Sequence, residues 1–205
     1  MVLNLIEASS LAKIDRQTEA VQANSSPAQY EIIRQVIYYT ADLEYQSLIR
    51  FTDGVLAKGA AALTAAMPIV VDVPEIQVSI VPNLQKTFAN PVYCCTTNAS
   101  ETETAESKAA SGLEILGGKY PNGIFIIGQD QAALKTMVNL LENKTIKPSL
   151  AIATPPVFIE SEAKKKLKNS YIPHISIKSS KGGANVASAI FKSLVNLAWC
   201  ANQNH

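Results

Sequence analysis

The chain is poor in the residues that build metal sites, disulfide frameworks and redox centres. Its 205 residues include only three cysteines and two histidines. Cys94 and Cys95 are adjacent, Cys200 is remote, and no pair has C-x-x-C spacing. Zinc ligation and a disulfide framework are therefore not expected, and the cysteines read as small apolar residues in a reducing compartment. We predict that the protein uses neither a metal nor a cofactor.

Strong charge of one sign and long apolar runs are also lacking. The formal net charge is +1, whereas a broad nucleic-acid surface needs a basic excess on one face. No apolar run is long enough to cross a bilayer, and the opening MVLNLIEASS has no basic leader. We expect a cytoplasmic protein that binds neither nucleic acid nor membrane. A small basic pocket for an acidic ligand stays compatible with this composition.

Short apolar segments alternate with helical patterns through the second part of the chain. This pattern predicts an α/β fold with three layers (α/β/α) and a mainly parallel sheet of about five strands. Helical patterns at 8–22 and from Ser26 onwards add an N-terminal helical layer, and residues 1–205 form one domain. The predicted strands lie in PIVVDV (68–73), VYCCT (92–96), GIFIIG (123–128), SLAIATP (149–155) and YIPHISI (171–177).

Several local signals predict where helices begin and end. Ser26 and Gln29 flank a proline in a capping-box pattern, and this helix is expected to end near Tyr39. Ser100 and Glu103 predict a second capping box before an alanine-rich helix. The Gly117-Gly118 pair is expected to terminate that helix.

Ligands of open α/β sheets bind at the carboxyl ends of the strands, which directs attention to the segment after the fifth strand. Lys181, Gly182 and Gly183 immediately precede the last helix, so backbone N–H groups and a lysine are available for an anion. An ordinary strand-to-helix turn explains the glycines equally well. His174, inside the fifth strand, is more typical of a structural than a catalytic histidine. The lysines of 164–168 are most simply interpreted as a solvated helix face.

Several segments, in order, resemble the precorrin-8X methylmutase family over nearly the full chain. They are ASSLAKID, VIYYTADLEYQSLIRF, PIVVDV, GIFIIGQDQAAL, KPSLAIATPPVFI with SEAKKKL, and IPHISIKSSKGGANVASAIF. The resemblance implies one α/β domain that forms a homodimer, with active-site cavities at or near the dimer interface. It also implies a methyl shift from C-11 to C-12 of a corrin precursor, either metal-free or cobalt-bearing.

The resemblance also implies roles for individual residues. The family's catalytic histidine lies in a V-I-H-x-T-x-D pattern, and this chain has Tyr38 in its place, followed by Thr40 and Asp42. Ser10 matches a serine associated with substrate binding. Gly128 opens the segment that corresponds to the family's G-N-A-P-T-A-L loop, whose polar pattern differs here.

The segment SSKGG matches the family's G-R-x-G-G turn without its arginine. The many carboxylates of the substrate suit the basic residues of this chain. The resemblance therefore implies a catalytic role for Tyr38 and substrate binding by Ser10, Thr40, Asp42, Arg50, Gly128, Lys181, Gly182 and Gly183.

The tyrosine at position 38 keeps three functions open. A phenol with an ordinary pKa of about 10 stays neutral where a histidine exchanges a proton near neutral pH. The first hypothesis is an active methylmutase acting on a carboxylated corrin-type tetrapyrrole. The second is a catalytically impaired relative that binds a corrinoid or other tetrapyrrole as carrier or regulator. The third is an unrelated α/β binder of small molecules, which the absence of nucleotide motifs disfavours.

Overall fold

The computed structural model describes residues 5–99, 106–158 and 161–203. Within these ranges, short strands alternate with helices from residue 49 onwards. The strands are β1 (Ile49–Phe51), β2 (Ile69–Val71), β3 (Val92–Cys94), β4 (Ile124–Ile127), β5 (Leu150–Ala153) and β6 (His174–Ile177). The helices are α1 (Leu5–Gln17), α2 (Glu19–Asn24), α3 (Pro27–Thr40), α4 (Tyr45–Leu48), α5 (Val55–Thr64), α6 (Pro74–Gln85), α7 (Lys108–Lys119), α8 (Gln131–Glu142), α9 (Glu162–Lys168) and α10 (Ala184–Gln203).

The strands form one sheet in the order β1-β6-β5-β4-β2-β3. The five strands from β2 to β6 are the predicted ones, and they pair in parallel. The sequence missed the sixth strand, β1, which pairs antiparallel with β6, Ile49 lying opposite Ile177. Three residues directly after a one-turn helix are too few for a strand periodicity to emerge.

Helices cover both faces of the sheet, which confirms the three-layer α/β/α prediction. Alternate residues along β4 point to opposite faces: Ile124 and Ile126 join one buried cluster, whereas Phe125 and Ile127 join the other. The first cluster lies under α3, α5, α6 and α10, and the second under α7, α8 and α9. All of β4 is buried, as expected for a parallel strand between two helical layers.

The N-terminal helices pack on the outside of α3. The segment 8–22 was predicted as one helix, but it breaks at Thr18, whose hydroxyl donates to the Ile14 carbonyl at 2.9 Å. Thr18 also lies 2.8 Å from the Tyr30 hydroxyl, so the break places a polar side chain against α3. The predicted capping box is confirmed, since Ser26 and Gln29 exchange hydrogen bonds of 3.1 and 3.2 Å.

The prediction that Gly117 and Gly118 end helix α7 is wrong. The helix continues to Lys119, and Gly117 lets it pack closely against α8: a Cβ there would lie 3.1 Å from Leu140 Cδ1. The helix begins at Lys108 and is capped by Ser107, whose hydroxyl accepts from the Ala110 N–H at 3.0 Å. The predicted cap at 100–103 lies outside the described residues. Across the part of the chain that the structure describes, no helix has both the length and the apolar content to cross a membrane.

Candidate functional site

The carboxyl ends of β4, β5 and β6 meet at one edge of the sheet, and Thr154 joins them. Its backbone N–H donates to the Ile127 carbonyl at 2.9 Å, and its own carbonyl accepts from the Gly183 N–H at 2.7 Å. The Thr154 hydroxyl donates back to the Gly183 carbonyl at 3.1 Å. Gly182 has φ +150°, and a Cβ there would lie 2.0 Å from the Thr154 oxygen. Glycine is therefore required for the loop after β6 to lie against β5.

The backbone donors of this glycine turn serve the fold itself. The Lys181 N–H donates to the Ser179 hydroxyl at 3.0 Å, and the Gly183 N–H is taken by Thr154. The Lys181 and Gly183 N–H groups therefore have partners within the fold, as an ordinary strand-to-helix turn requires. The Lys181 side chain is the polar group of this turn that extends away from it.

The Lys181 ammonium joins two segments that are far apart in the sequence. It lies 2.5 Å from Asp42 Oδ2 and 3.0 Å from Glu44 Oε2. The other Asp42 oxygen accepts from the Glu44 N–H at 2.9 Å. The hydrogen bond from Lys181 lowers the pKa of Asp42, despite a smaller opposing effect of burial. This cluster fixes the turn after α3 against the loop after β6.

Tyr38 lies in the last turn of α3, four residues before Asp42 in the sequence. Its side chain is half-buried, and its ring meets that of Tyr39 edge-on at 5.4 Å between centroids. The hydroxyl of Thr40 donates to the Val36 carbonyl at 2.7 Å. Ala41 then adopts a left-handed conformation with φ 53°, which ends the helix and turns the chain towards Asp42.

Helix α1 reaches the same end of α3. Burial raises the pKa of Tyr39, and the negative charge of Glu7 on α1 adds to this increase. Ser10 lies one turn further along α1, half-buried, with its hydroxyl donating to the Ile6 carbonyl at 2.8 Å. The structure thus brings α1, the end of α3 and the Lys181 loop to one side of the sheet edge.

Gly128 lies beside the glycine turn, in a buried part of the fold: a Cβ at Gly128 would lie 3.1 Å from Ala184 Cα, and a Cβ at Gly183 would lie 3.6 Å from Gln129 Oε1. A Cβ at Gly128 would also lie 2.5 Å from Ile76 Cδ1, so close packing requires glycine here. Its N–H donates to Asp72 Oδ1 at 3.1 Å, while the N–H groups of Gln129 and Asp130 donate to Oδ2 at 2.7 and 2.8 Å. Asp72 therefore fills the crevice between β2 and β4, where the strand order reverses.

Arg50 lies in a different place from Tyr38. It lines a cavity of about 690 Å³ between α9 and the β1–β6 edge of the sheet. Its guanidinium donates to the carbonyls of Ser47 and Ile49 at 2.8 and 2.9 Å. Ser179 and Ser180 also line this cavity, so its wall continues directly into the Lys181 turn.

The sequence missed the other basic residues of this cavity. The lysines of α9 were interpreted as a solvated face, but Lys164 is half-buried, and its ammonium donates to the Ser179 carbonyl at 3.1 Å. Burial lowers the pKa of Lys164. Lys166 does point outwards, where it pairs with Glu142 at 2.9 Å. The spacing of Lys164 and Lys168, four residues apart, is the signal that one helix face carries both.

His174 also lines the cavity and does not join Tyr38. The side chain is 3% exposed, and its Nδ1 lies 3.1 Å from the Ile172 carbonyl oxygen. Burial lowers the pKa of His174, and the hydrogen bond opposes this shift only partly. The histidine is therefore held neutral in the folded protein near neutral pH.

The buried histidine predicts a specific acid sensitivity. As the pH falls below about 6.5, the unfolded chain takes up a proton that folded His174 does not. The free energy of unfolding should therefore fall between about pH 7.5 and about pH 5.5, by up to about 1 kcal/mol from this group. Urea unfolding of the wild type and His174→Gln measures it, and the variant should lose less stability over that interval. Equal losses in the two proteins would contradict the prediction.

Comparison with known proteins identifies consistent relatives. Residues 5–197 match the protein family described as "Precorrin-8X methylmutase". A cobalt-precorrin-8 methylmutase of Synechocystis sp. is 32% identical over 93% of this chain and 94% of the relative. One of Methanocaldococcus jannaschii is 31% identical over 82% and 79%. The crystal structure of a precorrin-8x methyl mutase from Thermus thermophilus superposes with a TM-score of 0.84, 26% identity and 96% coverage of both chains.

Proposed function

Because the chain belongs to the precorrin-8X methylmutase family, we propose that it is an isomerase acting on a corrin precursor in cobalamin biosynthesis. The reaction is the movement of a methyl group from C-11 to C-12 of the macrocycle. The match of residues 5–197 to the family carries this proposal. The relatives from Synechocystis sp. and Methanocaldococcus jannaschii, 32% and 31% identical, are both named cobalt-precorrin-8 methylmutases, which favours the cobalt-bearing substrate over the metal-free one.

The reaction requires the protein to hold the ring, exclude water and assist proton movement, with no covalent intermediate on the enzyme. We assign the contact with the reacting part of the ring to Tyr38. Its phenol hydroxyl can both donate and accept a hydrogen bond. Asp42 and Lys181 fix the loop beside it, as their ion pair spans 139 residues of sequence.

The remaining predicted residues bind the substrate in this proposal. The Lys181 ammonium has three donors, of which Asp42 and Glu44 take two, so one is left for a substrate carboxylate. The hydroxyl oxygens of Ser10 and Thr40 donate within their helices and keep lone pairs to accept from a ligand. The three glycines contribute through their lack of a side chain: at Gly182, Gly183 and Gly128 a side chain would clash with neighbouring atoms or strain the backbone. Arg50 binds carboxylates in the cavity it lines.

We propose further that residues 1–205 act as one domain in a cytoplasmic homodimer. Large apolar side chains are exposed at the site end of the first and third helices, where a second copy would cover them. They are Leu5 (87% exposed), Ile6 (79%), Tyr39 (53%) and Leu43 (37%). Burying such a group on association is favourable by about 25 cal/mol for each Å² of apolar surface.

Anaerobic incubation of the purified protein with cobalt-precorrin-8, and separately with precorrin-8, tests the function. The isomerisation leaves the mass of the substrate unchanged and alters its chromophore, so absorbance and mass spectrometry together identify the product. We expect conversion of the cobalt form. A spectrum that shifts on binding but never reaches that of the product would indicate a tetrapyrrole-binding relative without methylmutase activity. No change with either substrate would overturn the proposal.

A further inference from the structure

The cavity beside Arg50 contains an unusual concentration of positive charge. Besides Arg50, four lysines line it: three from α9 and one from the end of β6. They are Lys164, Lys165, Lys168 and Lys178. None of the described residues that line the cavity is an aspartate or a glutamate, although Lys165 pairs with Glu162, outside the lining, at 3.2 Å. Like charges gathered in one concave site repel one another, and an anionic ligand relieves that repulsion.

The cavity also offers apolar surface to the same ligand. Phe51, Val157, Leu167 and Ile177 contribute to its walls. Phe158 stands at the cavity with 99% of its side chain exposed. Solvent-exposed aromatic surface of this kind is suited to packing against a flat apolar ring. The ligand that fits is therefore amphipathic, with a hydrophobic body and several negative groups.

The cavity lies next to the proposed active site. Ser180 lines it, and Lys181, the next residue, pairs with Asp42, four residues after Tyr38 in the sequence. Neighbouring Cα atoms are about 3.8 Å apart, so the wall of the cavity and the Lys181 turn are directly continuous. A macrocycle with carboxylate arms placed over this turn reaches both.

Resting on the proposed function, we propose that this cavity is the site that holds carboxylate arms of the tetrapyrrole, through Lys164, Lys168 and Lys178. The ammonium of Lys164 is already directed by the Ser179 carbonyl at the inner wall. Lys168 and Lys178 are exposed at its rim, where long side chains close over a bound carboxylate. These residues position the substrate and take no part in proton transfer.

The test uses the whole protein and uroporphyrin, a tetrapyrrole with carboxylates on every ring, as the binding probe. Fluorescence titration compares the wild type with Lys168→Gln/Lys178→Gln. Hydrogen bonds to charged groups predict that the double variant binds about tenfold more weakly, and that its affinity depends less on salt. Lys166→Gln is the control, because it removes one positive charge from α9 at a side chain that points away from the cavity and pairs with Glu142, and it should bind as the wild type.

Three results would overturn the assignment: no binding by the wild type, equal affinity in the double variant and the control, or displacement of the probe by inorganic phosphate at equal concentration. Turnover separates this inference from the proposed function. With cobalt-precorrin-8, the double variant should raise KM about tenfold and leave kcat nearly unchanged. If the double variant turns over normally with an unchanged KM, the cavity does not hold the substrate carboxylates, while the proposed enzymatic function is retained. If the double variant binds the probe more weakly and the wild type does not turn over, the cavity is a tetrapyrrole-binding site and the proposed enzymatic function is wrong.

Discussion

Replacing Tyr38 with phenylalanine is expected to lower kcat for cobalt-precorrin-8 by roughly 10²–10⁴, the usual cost of losing a positioned acid/base group. Phenylalanine keeps the ring and its edge-on contact with Tyr39, so only the hydroxyl is removed. Stopped-flow absorbance under anaerobic conditions measures the rate of the chromophore change. Full activity of Tyr38→Phe would remove Tyr38 from the mechanism while leaving the family assignment intact.

The neighbouring tyrosine provides the matched control. Tyr39 is 53% exposed, with the Lys192 ammonium 4.7 Å from its ring centroid, and Tyr39→Phe preserves that contact. We expect Tyr39→Phe to retain kcat within about threefold, since it removes a hydroxyl outside the proposed catalytic contact. Tyr38→His restores a group that exchanges protons near neutral pH, and it should turn over at least as fast as the wild type. A Tyr38→His variant as slow as Tyr38→Phe would contradict the proposed use of this position.

The largest effect on stability is expected at Asp72. Its carboxylate is fully buried and accepts three backbone N–H groups, from Gly128, Gln129 and Asp130. Asp72→Ala leaves these donors without that partner at a cost of about 1–3 kcal/mol for each one that stays buried. We expect the free energy of unfolding to fall by about 3 kcal/mol, measured as a lower midpoint in urea.

Two further variants define what Asp72 contributes. Asp72→Asn keeps the size of the side chain but turns an NH₂ group towards backbone donors, so it should also destabilise. The exposed Asp53→Ala is the control and should change the free energy of unfolding by less than about 0.5 kcal/mol. An Asp72→Ala midpoint equal to that of Asp53→Ala would show that water replaces the carboxylate at no cost.

The helical caps and the buried strands are local features, so the sequence predicted them. The capping box at Ser26 depends on groups three residues apart, and β4 is a continuous apolar run. The parallel sheet follows from their alternation along the chain. Local signals failed in two places: α7 continues through Gly117, which packs closely against Leu140 of α8, and β1 forms by pairing with β6.

The order of short segments in the sequence predicted the family and its chemistry. The arrangement of the site was decided by the tertiary structure. No sequence pattern pairs Lys181 with Asp42, because their contact depends on where β6 and α3 end in space. The same holds for Lys164 and Lys178, which face one cavity only because α9 packs beside the β1–β6 edge. Residue types determined which charges the chain has, and long-range packing determined which of them meet.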